Sequence, residues 1–224
     1  MGWTGYAPGT MARHVQTKAR CARCRLHTDR CICAALPDLA VPIPLVLVQH
    51  WKEARKPTST GGLLCRLATA CDQRIYGQRD RPFHADGLNH KDTWLVFPAR
   101  EPADPLPTVP PRQLVVVDGT WGQASRLVRR IPALARLPRL SFSCPAREVP
   151  RLRLPHAPEA RSTMEAVADA YRMLGHPHFA TQLEAVHDRY VLETLRQRGT
   201  PRAVLSELTQ RADSAISATR STSS

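Results

Sequence analysis

An α/β fold is what this sequence predicts: a mostly parallel sheet with helices on both faces. Three observations lead there. Residues 44–48, 93–97 and 114–117 are short runs rich in Val and Leu, and such runs suit strands buried on both sides. Stretches with helical spacing of apolar residues alternate with them. Gly, Pro, Ser and Thr punctuate the junctions, where turns and caps need them. Strands that alternate with helices pair in parallel through crossover connections.

The elements follow in order. Residues 1–19 are expected to be a flexible leader, with Met11 as an alternative start ahead of Arg13, His14 and Lys18. Residues 20–40 form a small cysteine-rich element, and 41–208 the main domain. Its first strand, 44–48, ends at Gln49-His50. A helix over 60–71 places Leu63, Leu64, Leu67 and Ala68 on one face. A strand at 93–97 precedes a proline-rich, acidic surface loop at 98–111. The run Leu114-Val115-Val116-Val117 then delivers Asp118, a Gly119 turn and Thr120. Thr120 can cap a helix continued by Gln123, Ala124, Leu127 and Val128. A further strand lies near 139–143. Helices follow over 164–174, with Ala166, Val167, Ala170 and Leu174 inward, and over 179–198. The Ser- and Thr-rich tail, 209–224, has little to bury and is expected to be disordered.

At 224 residues and 42% hydrophobic content the chain can build one substantial core. No apolar run is long enough to span a bilayer, and no signal peptide opens the chain, so a cytoplasmic protein without membrane association is expected. The formal charge is +13, and lysine supplies only Lys18, Lys52, Lys56 and Lys91 of the 32 basic residues. Arginine forks onto phosphates and stacks on bases. Nucleic acid is therefore the expected partner, although a host that favours Arg, Ala and Pro codons would shift composition the same way.

Cys21-x-x-Cys24 and Cys31-x-Cys33 set two thiol pairs close in sequence. In a reducing compartment such spacing reads as a structural zinc site with all four positions filled. His27 is a spare ligand, and a redox pair is the alternative. Cys65, Cys71 and Cys144 read as small core residues.

Three segments carry polar groups at strand ends or helix starts. Asp118-Gly119-Thr120-Trp121 sits where a strand meets a helix, the usual place for α/β sites. A plain turn explains it equally well. His50, Glu53, Ser59, Thr60 and Gly61 lie in and before a helix start, where exposed N–H groups attract carboxylates or phosphates. Capping, or a satisfied His50–Glu53 pair, is the simpler account. Ser162-Thr163-Met164-Glu165 has the form of a capping box, and a capped N-terminus can also meet an anion.

Taken together, Asp118-Gly119-Thr120-Trp121-x-x-Ala124, the His50…Glu53…Thr60-Gly61 block, Ser162-Thr163-x-Glu165-Ala166 and the four cysteines resemble the DTW-domain family over about residues 21–175. That resemblance implies a SPOUT-like fold with a trefoil knot and tRNA-uridine aminocarboxypropyltransferase activity. It implies S-adenosylmethionine held by His50, Glu53, Ser59, Thr60, Gly61, Gly119, Ser162, Thr163 and Glu165. Asp118, Thr120 and Trp121 would serve catalysis, Asp118 as base or as cofactor ligand, and Cys21, Cys24, Cys31 and Cys33 would hold zinc. The family pattern leads one to expect an arginine or other polar group where Gly62 stands. Alternatives are a SPOUT-like RNA methyltransferase using the same cofactor, and a zinc-bearing RNA binder without chemistry.

Overall fold

The computed structural model describes residues 18–37, 39–99, 104–142, 146–153 and 157–221. Strands β1 (Leu45–His50), β2 (Cys71–Tyr76), β3 (Thr93–Val96), β4 (Gln113–Asp118) and β5 (Arg139–Leu140) form one sheet in the order β2-β1-β4-β3-β5. Every pairing is parallel. The α/β class expected from the alternating pattern is thus the class observed.

Alternation along the strands divides the core. Leu45 and Leu47 on β1, with Leu114 and Val116 on β4, face a layer made by α2 (Thr60–Leu67), α5 (Thr163–Met173) and α6 (Pro177–Gln197). Val46, Val48, Val115 and Val117 face α3 (Trp121–Arg130) and α4 (Pro132–Arg136). The central strands are therefore apolar on both sides, which is why their sequences do not alternate in polarity. Chain connections leave β1 toward one edge of the sheet and β4 toward the other. Their carboxyl ends make the switch point where such sheets place ligands.

Several expectations change. The helix expected over 60–71 stops at Leu67, and Cys71 opens edge strand β2. Cys65 and Cys71 are not separate core residues: with Cα atoms 5.0 Å apart they form a disulfide across that reversal. In place of a disordered tail from residue 209, α7 (Arg202–Ser221) continues to residue 221, and 222–224 lie outside the described residues. Leu205, Leu208 and Ala212 recur at helical spacing and bury against Val191 and Leu192 of α6. Residues 1–17 of the expected leader, Ser143 and Cys144 lie outside the described residues. No helix among the described residues is long and apolar enough to cross a membrane.

Candidate active site and candidate metal centre

β4 ends on Asp118, whose side chain is 4% exposed. Its Oδ2 accepts hydrogen bonds from Gln49 Nε2 (2.5 Å) and Ser59 Oγ (2.9 Å), and its Oδ1 accepts from Thr163 Oγ1 (2.5 Å). Each donor comes from a different element. Gln49 lies opposite Asp118 in the β1–β4 register, Ser59 caps α2, and Thr163 is the first residue of α5. A Cβ added at Gly61 would stand 2.9 Å from Asp118 Cγ, so only glycine lets α2 come this close. Burial pushes the Asp118 carboxyl above its ordinary range; the Glu53 charge adds to this, and the three donors oppose it without reversing it.

The network extends outward in two directions. Gln49 Oε1 accepts from Gln73 Nε2 (2.6 Å), and Ser59 Oγ accepts from the Gly62 N–H (3.0 Å). Thr60 is 8% exposed at the head of α2. Thr163 is half-buried and links Asp118 toward the surface.

The remaining expected residues surround this centre without touching Asp118 through a side-chain hydrogen bond. His50 Nδ1 accepts from the Lys52 N–H at the start of α1 (Trp51–Ala54), and its Cβ lies 3.6 Å from where a Gly119 Cβ would be. Burial lowers the His50 pKa, and the Lys52 charge lowers it further. Glu53, 1% exposed, accepts from Arg153 (2.5 Å) and Lys56 (2.8 Å). Burial would raise its pKa, but those two cations hold it below the usual carboxylate range. Thr120 caps α3 in a reciprocal box with Gln123. Trp121 turns outward, 46% exposed, and stacks on Phe97 at 5.5 Å and 4°.

The second capping box also forms, from Ser162 and Glu165. Ser162 Oγ meets His187 Nε2 at 3.1 Å, His187 Nδ1 meets Asp188 at 3.2 Å, and Asp188 accepts from Arg147 at 2.7 Å. Glu165 also accepts from Arg151 at 3.2 Å. Sequence reading missed Gln49, His187, Asp188, Arg147, Arg151 and Arg153. Gln49 left a trace, as a polar residue closing an apolar strand. The others reach the site from across the fold and left none. At position 62 the expected polar side chain is absent, and Arg66, one turn later, carries Nη1 to 3.0 Å from where a Gly62 Cβ would be. A side chain at position 62 would thus crowd Arg66.

At the amino end, Cys21, Cys24, Cys31 and Cys33 bring their sulfurs within 4.8 Å of one another, a group that can hold a metal ion. Tetrahedral bonds of about 2.3 Å separate sulfurs by about 3.8 Å. Cys21–Cys33 and Cys24–Cys31 are each 3.8 Å apart. The fit begins in the turn: Arg25 takes a positive φ of 67°, and the N–H groups of Cys24 and Arg23 aim at Cys21 and hold its thiol down to about 6. Burial pushes Cys24 the other way. Such a donor set suits a closed, structural ion.

Parallel sheet, switch-point carboxylate and thiol cluster define an α/β protein whose buried polar network gathers at the carboxyl ends of β1 and β4. The chain belongs to the DTW domain family, whose model matches residues 18–195. It is similar to tRNA-uridine aminocarboxypropyltransferase 2 of Drosophila melanogaster, 30% identical over 141 residues covering 58% of this chain and 56% of that protein. It is also similar to tRNA-uridine aminocarboxypropyltransferase 2 of Mus musculus, 26% identical over 182 residues covering 74% and 60%. The chain thus spans less than two thirds of these curated relatives. No solved structure matches it significantly.

Proposed function

We propose that this protein transfers the 3-amino-3-carboxypropyl group of S-adenosylmethionine to N3 of a tRNA uridine, releasing methylthioadenosine. The observation that carries this reading is the meeting of Ser59, Gly61 and Thr163 on Asp118 in a chain of the DTW family. The sulfonium supplies an electrophilic carbon. The N3–carbon bond forms as the carbon–sulfur bond breaks, and the bonding pair leaves on sulfur as a neutral thioether.

What remains for the protein is geometry and one proton. The heads of α2 and α5 present N–H groups and positive dipole ends suited to the carboxylate of the methionyl arm. His50, Ser59, Thr60, Gly61, Gly119, Ser162 and Thr163 shape this rim, while Glu53 and Glu165 act through Arg153 and Arg151, which they hold. Uridine N3 is nucleophilic only once its proton leaves. Asp118 takes that proton through Thr163, whose hydroxyl accepts it while donating its own to Oδ1. Burial makes Asp118 a stronger base than an exposed carboxylate. Thr120 fixes the turn that follows Asp118 by capping α3, and Trp121 offers an aromatic face to an unstacked base. Cys21, Cys24, Cys31 and Cys33 would hold zinc as a structural ion, and a cytoplasmic location fits a tRNA substrate.

Purified protein incubated with unmodified tRNA and S-adenosylmethionine tests the reading. Methylthioadenosine, with a matching mass gain on uridine, supports it; S-adenosylhomocysteine, or no by-product, overturns it. Metal analysis of the purified protein should find one zinc per chain.

A further inference from the structure

The charge of this protein is unevenly neutralised. On the α5–α7 layer, Arg147, Arg161, Arg172, Arg189 and Arg196 each pair with an acid, at distances from 2.5 to 2.9 Å. On the opposite face, α3 and α4 behave differently. Residues 119–142 contain no Asp or Glu. Arg126, Arg129, Arg130 and Arg136 are all exposed, and none of the salt bridges among the described residues includes them.

Helical spacing gathers three of these arginines into one stripe. Residues 126, 129 and 130 lie opposite the buried Ala124, Leu127, Val128 face, with Arg126 and Arg130 about 6 Å apart along the axis. Arg126 Nε donates to the Gly122 carbonyl (3.0 Å), which lays its guanidinium along the stripe. The stripe begins where the site ends, because α3 starts at Trp121, three residues after Asp118. Trp121 stands at this junction, 46% exposed and stacked flat on Phe97.

We infer that the outer face of α3 and α4 is the docking surface for the RNA backbone, leading the target nucleotide past Trp121 toward Thr163 and Asp118. Unneutralised arginines match a partner that carries a charge at every nucleotide, and an adjoining ring suits an unstacked base. This inference rests on the reading of the protein as a tRNA-modifying enzyme and names the surface that reading requires.

The test compares the full chain with R126A/R129A/R130A/R136A, and with R23A/R25A in the cysteine element as a competing basic surface. Binding of an unmodified tRNA transcript is followed across a salt titration, and S-adenosylmethionine binding is followed separately by calorimetry. The quadruple variant should bind tRNA about 10- to 100-fold more weakly, with a log–log salt slope shallower by about 3. Its cofactor affinity should stay at the parent value. Parental tRNA affinity and slope in the quadruple variant, or a loss confined to R23A/R25A, overturns the inference while leaving the transferase reading intact. A parent chain that neither binds nor modifies tRNA overturns both.

Discussion

Asp118 is buried yet surrounded by donors, so it is held as an acceptor at a cost that grows with its charge. Its raised pKa fixes the sign of a stability effect. The unfolded chain releases this proton first as pH rises, so stability falls as pH climbs from the unfolded value, about 3.9, through the folded one. Asp118→Asn should remove that fall: thermal melts of parent and variant should diverge in the variant's favour with rising pH. The same variant should lose about 10²- to 10⁴-fold in turnover, the usual contribution of a positioned base. Thr163 gives a sharper test of the relay. Thr163→Val should be slow and Thr163→Ser close to normal in single-turnover assays of tRNA modification, and equal rates for both would remove Thr163 from the proton path. Gly61→Ala places a methyl 2.9 Å from Asp118 Cγ and should cost about 1–3 kcal/mol by urea unfolding. At this scale the sequence exposed Asp118, Ser59, Gly61 and Thr163, because strand ends and caps have local signatures. It hid His187 and Arg153, which reach the site only through packing between distant segments.

The central strands and the helices α2, α3, α5 and α6 were legible because each carries its own periodicity; α2, α3 and α5 also carry side-chain caps, and α6 opens on Pro177. β2 was not, since an edge strand reading Cys-Asp-Gln-Arg-Ile-Tyr buries little. Helix α7 was missed for a related reason: polar residues such as Ser206, Thr209 and Gln210 between Leu205, Leu208 and Ala212 dilute an apolar stripe that α6 completes. Because Leu208 is 1% exposed, Leu208→Ala should destabilise the protein by about 2–5 kcal/mol. Denaturant unfolding checks this, and a neutral result would show that α7 adds nothing to the fold. The two helical layers also divide their labour: ion pairs bind α5, α6 and α7 to one another, while among the described residues no salt bridge includes Arg126, Arg129, Arg130 or Arg136 of α3 and α4.

Across the whole molecule, the cysteine element is an integral part of the core. Cys24, Leu26 and Ile32 belong to the main apolar cluster, the His27 N–H donates to Gln197 of α6 (3.1 Å), and Arg30 pairs with Glu193 (3.6 Å). Chelation should therefore lower the melting temperature of the entire protein; an unchanged global melt with metal removed would separate the two units. Arg66 carries the coupling further. Its Nε donates to the Arg23 carbonyl at 2.7 Å, and its Nη1 overhangs Gly62 at the head of α2. Closing the four thiols on an ion and setting the head of α2 are thereby one mechanical event: emptying the cysteines would slacken the segment that brings Ser59 and Gly61 against Asp118.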